Sequence, residues 1–150
     1  MKKRLVAVLA LSGLGMGISS YLTLVDLSAS HLYCVQGFSC SEVLASVYSR
    51  IAGVPISLLG LLMYLALFGI ALVCLRSPAF SNILLVGGFA LSLAGTIFSA
   101  YLTFGVEAVI LGKFCNWCLV SAATVTGIAA LSLSLVRCPY SEGASGIGRR

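Results

Sequence analysis

Four long, predominantly apolar runs, at residues 5–25, 54–75, 83–104 and 114–136, dominate this chain. Each is about the length that crosses the hydrocarbon core of a bilayer as a helix, roughly 20 residues. In lipid every backbone N–H and C=O must be satisfied within its own segment or in a closed barrel, and these runs lack the alternation of barrel strands. The expectation is an all-α integral membrane protein, a four-transmembrane-helix bundle. Charged residues are only 9% of the chain, against about 25% in an ordinary soluble domain. Residues 1–150 therefore read as a single membrane domain with little left for an extramembrane one. Gly13, Gly15, Gly17, Gly60, Gly87, Gly88 and Gly95 are expected to let neighbouring helices approach closely.

A leader peptide opens in the same way, with basic residues such as Lys2, Lys3 and Arg4 before an apolar stretch. The stretch here is longer than a leader's apolar region, and Ser28-Ala29-Ser30 is only a passable cleavage site, so the first run is expected to remain as a helix. Basic residues then orient the bundle. With the amino terminus in the cytoplasm, Lys2, Lys3, Arg4, Arg76, Arg137, Arg149 and Arg150 lie inside, and only Arg50 and Lys113 lie outside. The expected protein is multi-pass in a cell inner or plasma membrane, with both termini cytoplasmic. Asp26, Glu42 and Glu107 fall outside in this reading, and the net charge of +5 reflects topology rather than nucleic-acid binding.

Four of the six cysteines form two close pairs, Cys34 with Cys40 and Cys115 with Cys118, and this topology brings both to the outer side. In a bacterial envelope that is the oxidising side. Cys74 and Cys138, near the inner helix ends and without a close partner in sequence, read as ordinary apolar residues. Two dithiols at one membrane face are the least wiring that passes electrons between a soluble thiol protein and a molecule dissolved in the bilayer. Cys115-Asn116-Trp117-Cys118 sets two sulfurs at i and i+3 on one face of a helix start, where unpaired amides and the positive end of the dipole suit redox thiol chemistry. The five residues between Cys34 and Cys40 include Gly37, which suits a mobile loop that meets an outside protein and then swings towards the second pair. Val43, Leu44, Val47 and Ile51 follow at helical spacing, so a short amphipathic roof helix on the outer side is expected from Ser41 to Ile51, with the cysteine loop and this helix together filling residues 26–53. On it, Ser46 is a candidate to turn inwards and hydrogen-bond a carbonyl. His31, Phe114 and Trp117 read as interfacial residues.

The order of these elements resembles the vitamin K epoxide reductase family: a first helix, a loop cysteine pair, a roof helix, the segment Gly53-Val54-Pro55-Ile56-Ser57-Leu58-Leu59-Gly60-Leu61-Leu62-Met63-Tyr64, then CxxC at the head of the fourth helix. The resemblance implies an enzyme that couples thiol oxidation to reduction of a quinone (menaquinone, ubiquinone or phylloquinone) without a metal, or of vitamin K and its epoxide in animal members. By position it implies that Cys118 faces the quinone, that Cys115 receives electrons from Cys40, and that Cys34 is attacked by a thioredoxin-fold, DsbA-like protein. Ser46 matches a family serine that hydrogen-bonds near the quinone. The short tail after Cys138 implies a separate partner rather than a fused one. Where animal members carry an asparagine and a tyrosine at the vitamin K ring, this chain has Ile56 and Ala122. That favours a quinone reductase supporting disulfide bond formation over an epoxide reductase.

Other readings remain open at this point. The DsbB type of quinone-linked thiol oxidase shares the chemistry and the helix count but carries its two kinds of cysteine pair in the reverse order. A vitamin K, epoxide or naphthoquinone reductase is a second enzymatic alternative. The four outer cysteines could instead hold Zn²⁺ in a non-enzymatic binding protein, or staple a purely structural bundle. Finally, Ser19-Ser20-Tyr21-Leu22-Thr23 resembles Ser99-Ala100-Tyr101-Leu102-Thr103, each upstream of a cysteine pair, a likeness that reads as either a parallel repeat or chance.

Overall fold

The computed structural model describes residues 2–28, 50–51, 53–76, 81–112 and 114–137. Helix α1 spans Lys2–Ser28, α2 Ile56–Arg76, α3 Ser81–Ala100 and α4 Asn116–Arg137. Between α1 and α2 a two-residue strand β1, Arg50–Ile51, pairs antiparallel with β2, Val54–Pro55, and Gly53 at φ 84° turns the chain between them. Among the described residues, four helices are long and apolar enough to cross a membrane, in line with the four apolar runs. The cysteine loop at Cys34 and Cys40, Ser46 and most of the expected roof helix lie outside the described residues. The roof helix expected to run to Ile51 does not reach it: Arg50 and Ile51 are extended and pair with Val54–Pro55 as β1, while residues 26–28 extend α1.

The largest departure from expectation is in the third run. It does not end at residue 104: the chain continues without a break through π-helical turns at Tyr101–Leu111, giving a span of 30 residues, Asn82–Leu111. Gly112, at φ 61°, then stops it, its N–H returning to the Glu107 carbonyl. A left-handed glycine is the usual way to end a helix and satisfy a terminal carbonyl.

The helices pack as a ring, α1 against α2, α2 against α3, α3 against α4 and α4 against α1. Lipid is as apolar as the side chains, so association rests on close van der Waals packing and on polar contacts between helices. Gly15 and Gly95 supply the closeness: a Cβ at Gly15 would run into the Tyr64 ring, and one at Gly95 would meet Met63 and Val125. Gly60 and Gly88 also meet a neighbour, Ser19 Oγ at 3.4 Å and Ile70 at 3.3 Å. Gly13, Gly17 and Gly87, expected to serve the same end, face open space instead. The Tyr64 hydroxyl ties α2 to α4, donating to the Ser121 carbonyl at 2.9 Å and lying 3.0 Å from its Oγ. Thr23, Thr96, Thr124 and Thr126 turn their hydroxyls onto carbonyls four residues back in their own helices, which satisfies these groups in an apolar setting. The core runs through Leu5, Val8, Tyr64, Leu67, Ala71, Cys74, Val125 and Ile128.

Candidate active site

The head of α4 carries both cysteines of the CxxC sequence. Cys115 precedes the first helical residue, and its carbonyl accepts the Leu119 N–H at 3.1 Å, closing the first turn. Cys118 lies inside that turn, where backbone N–H groups have no intrahelical partner. The i, i+3 spacing brings the two side chains within hydrogen-bonding reach of each other, and neither sulfur is in a disulfide. Their surroundings differ sharply. Cys115 is fully buried, whereas Cys118 is half-buried and lines a cavity.

That cavity has a volume of about 400 Å³ and lies among all four helices. Most of its wall is apolar, with Leu22, Ile56, Met63, Leu91, Phe98 and Val125 prominent. A few polar groups interrupt it: Ser19, Asp26, Ser57, Tyr64, Ser99, Thr103, Glu107 and Ser121. Apolar walls with a small number of fixed polar groups are what a ring-shaped organic ligand needs, and the volume lies in the range of small-molecule sites, about 300–1,000 Å³. The two similar segments of sequence meet here. Ser19 and Leu22 of α1, and Ser99 and Leu102 of the third span, line the same cavity from helices that are not neighbours in the ring.

At the rim, Arg50 on β1 donates to Asp26 near the end of α1, at 3.3 and 3.2 Å to the two carboxylate oxygens. This contact anchors the short hairpin to α1 beside the cavity. Trp117 packs its ring on Tyr21 with centroids 5.4 Å apart, and neither Trp117 nor Phe114 lines the cavity. Ile56 lines it and Ala122 does not. His31, Lys113 and Cys138 lie outside the described residues, as do Cys34, Cys40 and Ser46. The meeting of the two cysteine pairs is therefore not part of the described geometry. Among the described residues there is no group of three or more His, Cys, Asp or Glu able to hold a metal ion.

One residue of the site went unrecognised in the sequence. Glu107, counted there among outside acids, is 3% exposed and its Oε2 accepts the Cys115 N–H at 3.0 Å. The same carboxyl is within hydrogen-bonding reach of the Cys118 side chain. The signal was present: beyond residue 104 the sequence Gly105-Val106-Glu107-Ala108-Val109-Ile110-Leu111 stays apolar around one acid. An ionisable residue inside a membrane span is a functional candidate by default.

Chemically, this arrangement offers a dithiol with one sulfur sealed away and one at the wall of an apolar chamber, beside a buried acid. A family model described as the Vitamin K epoxide reductase family matches residues 6–133.

Proposed function

Because the chain belongs to the vitamin K epoxide reductase family, we propose that it oxidises a thioredoxin-fold, DsbA-like protein outside the membrane and passes the electrons through two cysteine pairs to a membrane quinone. In general terms, membership makes it a membrane oxidoreductase of the thiol and quinone kind. The finer statement is supported above all by the inequality of the two sulfurs: Cys118 lines the cavity while Cys115 is fully buried beside it. A sulfur that delivers electrons must reach the acceptor, and Cys118 is the one of the two at the cavity wall.

The relay runs by thiol–disulfide exchange. A thiolate of the reduced partner attacks Cys34 in the Cys34–Cys40 disulfide, and the freed Cys40 leaves. The partner's second thiol then resolves the mixed disulfide, so the partner departs oxidised and Cys34 and Cys40 are reduced. Cys40 attacks Cys115 of the Cys115–Cys118 disulfide, Cys34 resolves that bond, and Cys115 and Cys118 become a dithiol. These two thiols then give two electrons and two protons to the quinone and close again as a disulfide. Direction follows from potential, with about 30 mV worth about 1.4 kcal/mol for two electrons.

The chamber suits such a substrate. Its apolar walls hold a ring and the start of a lipid tail, and Ser19, Ser57, Ser99 and Ser121 offer hydroxyls to the carbonyls. Ser46 is proposed to add a further donor from the roof. Ile56 at the wall offers no hydrogen bond to an epoxide or carbonyl, which favours plain quinone reduction. Orientation follows the basic residues, with the cysteine pairs on the outer side of an inner or plasma membrane.

Turnover in detergent tests this reading, with a reduced thioredoxin-fold donor and a quinone, comparing wild type with Cys118→Ala and Cys34→Ala. Both substitutions are expected to abolish donor-driven turnover, and Cys34→Ala is expected to recover it when a small dithiol replaces the protein donor. A Cys118→Ala protein that still reduces quinone refutes the assignment.

A further inference from the structure

We propose that Glu107 is a catalytic acid–base residue of this site, which takes the proton of Cys118 as that sulfur gives up its electrons and hands it to an oxygen of the reduced quinone. The inference rests on the thiol–quinone reading and adds to it a proton path that the cysteines alone lack.

Three observations converge on this carboxyl. First, it is almost fully buried within a membrane-spanning segment, and no cation among the described residues pairs with it. A carboxyl group is costly to hold at such depth, and residues of this kind are retained where protons or ions move. Second, its aim is fixed. The Cys115 N–H holds Oε2 at 3.0 Å, while the Cys118 side chain and the cavity share the carboxyl's other surroundings. Third, it stands on π-helical turns, at Tyr101–Leu111. Such turns are uncommon and gather at functional sites, since the widened spiral turns a side chain away from the direction a regular helix would give it.

The chemistry needs a group of this kind. Two thiols becoming one disulfide release two electrons and two protons; a quinone becoming a quinol takes up the same two of each. Most of the chamber wall is apolar and cannot carry either proton, whereas the Glu107 carboxyl in that wall can. Glu107 removes the Cys118 proton, so the S–H bond breaks as the electron pair becomes available to the ring. The Cys115 thiol gives up the second proton, which the other oxygen of the ring takes up to complete the quinol, as its sulfur joins Cys118 and the S–S bond closes. Glu107 ends the cycle as it began it, having moved one proton over a few ångströms.

The rival role is structural. A carboxyl that only accepts the Cys115 N–H would position the head of α4 and nothing more. Glu107→Gln separates the two, because the amide oxygen still accepts that N–H but the side chain no longer carries a proton. With the full chain in detergent, a soluble naphthoquinone and a small dithiol donor, Glu107→Gln is expected to lower kcat by about 100-fold or more, the usual worth of a positioned acid–base group. The quinone KM should stay within about threefold of wild type, since the ring's walls are untouched. Alkylation of Cys118 by iodoacetamide, which reads the thiolate, should slow in the same variant. Glu107→Asp keeps the acid on a shorter arm and is expected to lose only about tenfold in kcat.

A Glu107→Gln enzyme with kcat within about threefold of wild type would overturn the proposal. So would an aspartate as damaging as the glutamine, or loss of folding in both variants as read by helical circular dichroism, since these outcomes assign Glu107 to structure alone. Failure of the wild type with every quinone is a different result: it removes the thiol–quinone reading itself.

Discussion

Gly15→Ala is expected to destabilise the bundle and impair its cavity, while the same change at Gly13 or Gly17, on the same helix, is expected to be harmless. At Gly15 the added methyl meets the Tyr64 ring, at 2.6 Å from Cζ, well inside van der Waals contact. The ring cannot easily retreat. It is 1% exposed, and its hydroxyl is held by Ser121 on the far side of the bundle. Overpacking of this kind costs about 1–3 kcal/mol. Alanine's better helix propensity returns up to about 1 kcal/mol. With that return the net loss expected at Gly15 is up to about 2 kcal/mol, whereas Gly13 and Gly17, with nothing within 4 Å of an added Cβ, should be neutral or gain up to about 1 kcal/mol. Unfolding in mixed detergent micelles, followed by circular dichroism, reads these differences. Tyr64 also lines the cavity, so its displacement should raise the quinone KM several-fold. Combining Gly15→Ala with Tyr64→Ala should give less than the sum of the two single effects, because the second change removes the clash made by the first. Equal stability changes at positions 13, 15 and 17 would refute the packing argument.

The remaining expectations are more local. Ala94→Trp, at the cavity wall, fills part of the chamber and should raise the quinone KM at least about tenfold while leaving the protein folded. Cys74→Ala removes a sulfur packed in the core beside Leu67 and Ala71, so quinone turnover should stay within about twofold of wild type, with a stability loss of about 1 kcal/mol by the same unfolding assay. Arg50→Ala removes one arm of the rim pair with Asp26; since the Arg50 side chain is half exposed, the loss should not exceed about 1 kcal/mol and should shrink as salt is added.

Hydropathy made the bundle legible because lipid imposes a simple rule, and each run of about 20 apolar residues had one structural solution. The placement of CxxC at the head of the last helix was equally readable, and the structure has Cys115 and Cys118 there. What escaped notice was Glu107. Reading the third helix as ending at residue 104 turned a buried carboxyl into a loop acid, although the apolar run continues to Leu111 and Gly112 marks its stop. Its inward aim was beyond sequence reasoning, because π-helical turns leave no composition signature of the kind that separates helices from strands. The same holds for the bond from Tyr64 to Ser121. The tyrosine sits in a recognisable stretch, but its partner lies 57 residues away and only packing brings them together. Glycines were legible in kind but not singly: whether one faces a neighbour or open space depends on the rotation of its helix about its own axis.

The most direct test of the account is a single turnover. The protein is reduced with a dithiol, freed of the reductant under anaerobic conditions, and mixed with one equivalent of a naphthoquinone while absorbance follows quinol formation. The account predicts about one quinol per chain, with a Cys115–Cys118 disulfide recovered by mass spectrometry in matching amount and neither product in Cys118→Ala. Quinol formed without that disulfide, or at full yield in Cys118→Ala, would contradict it.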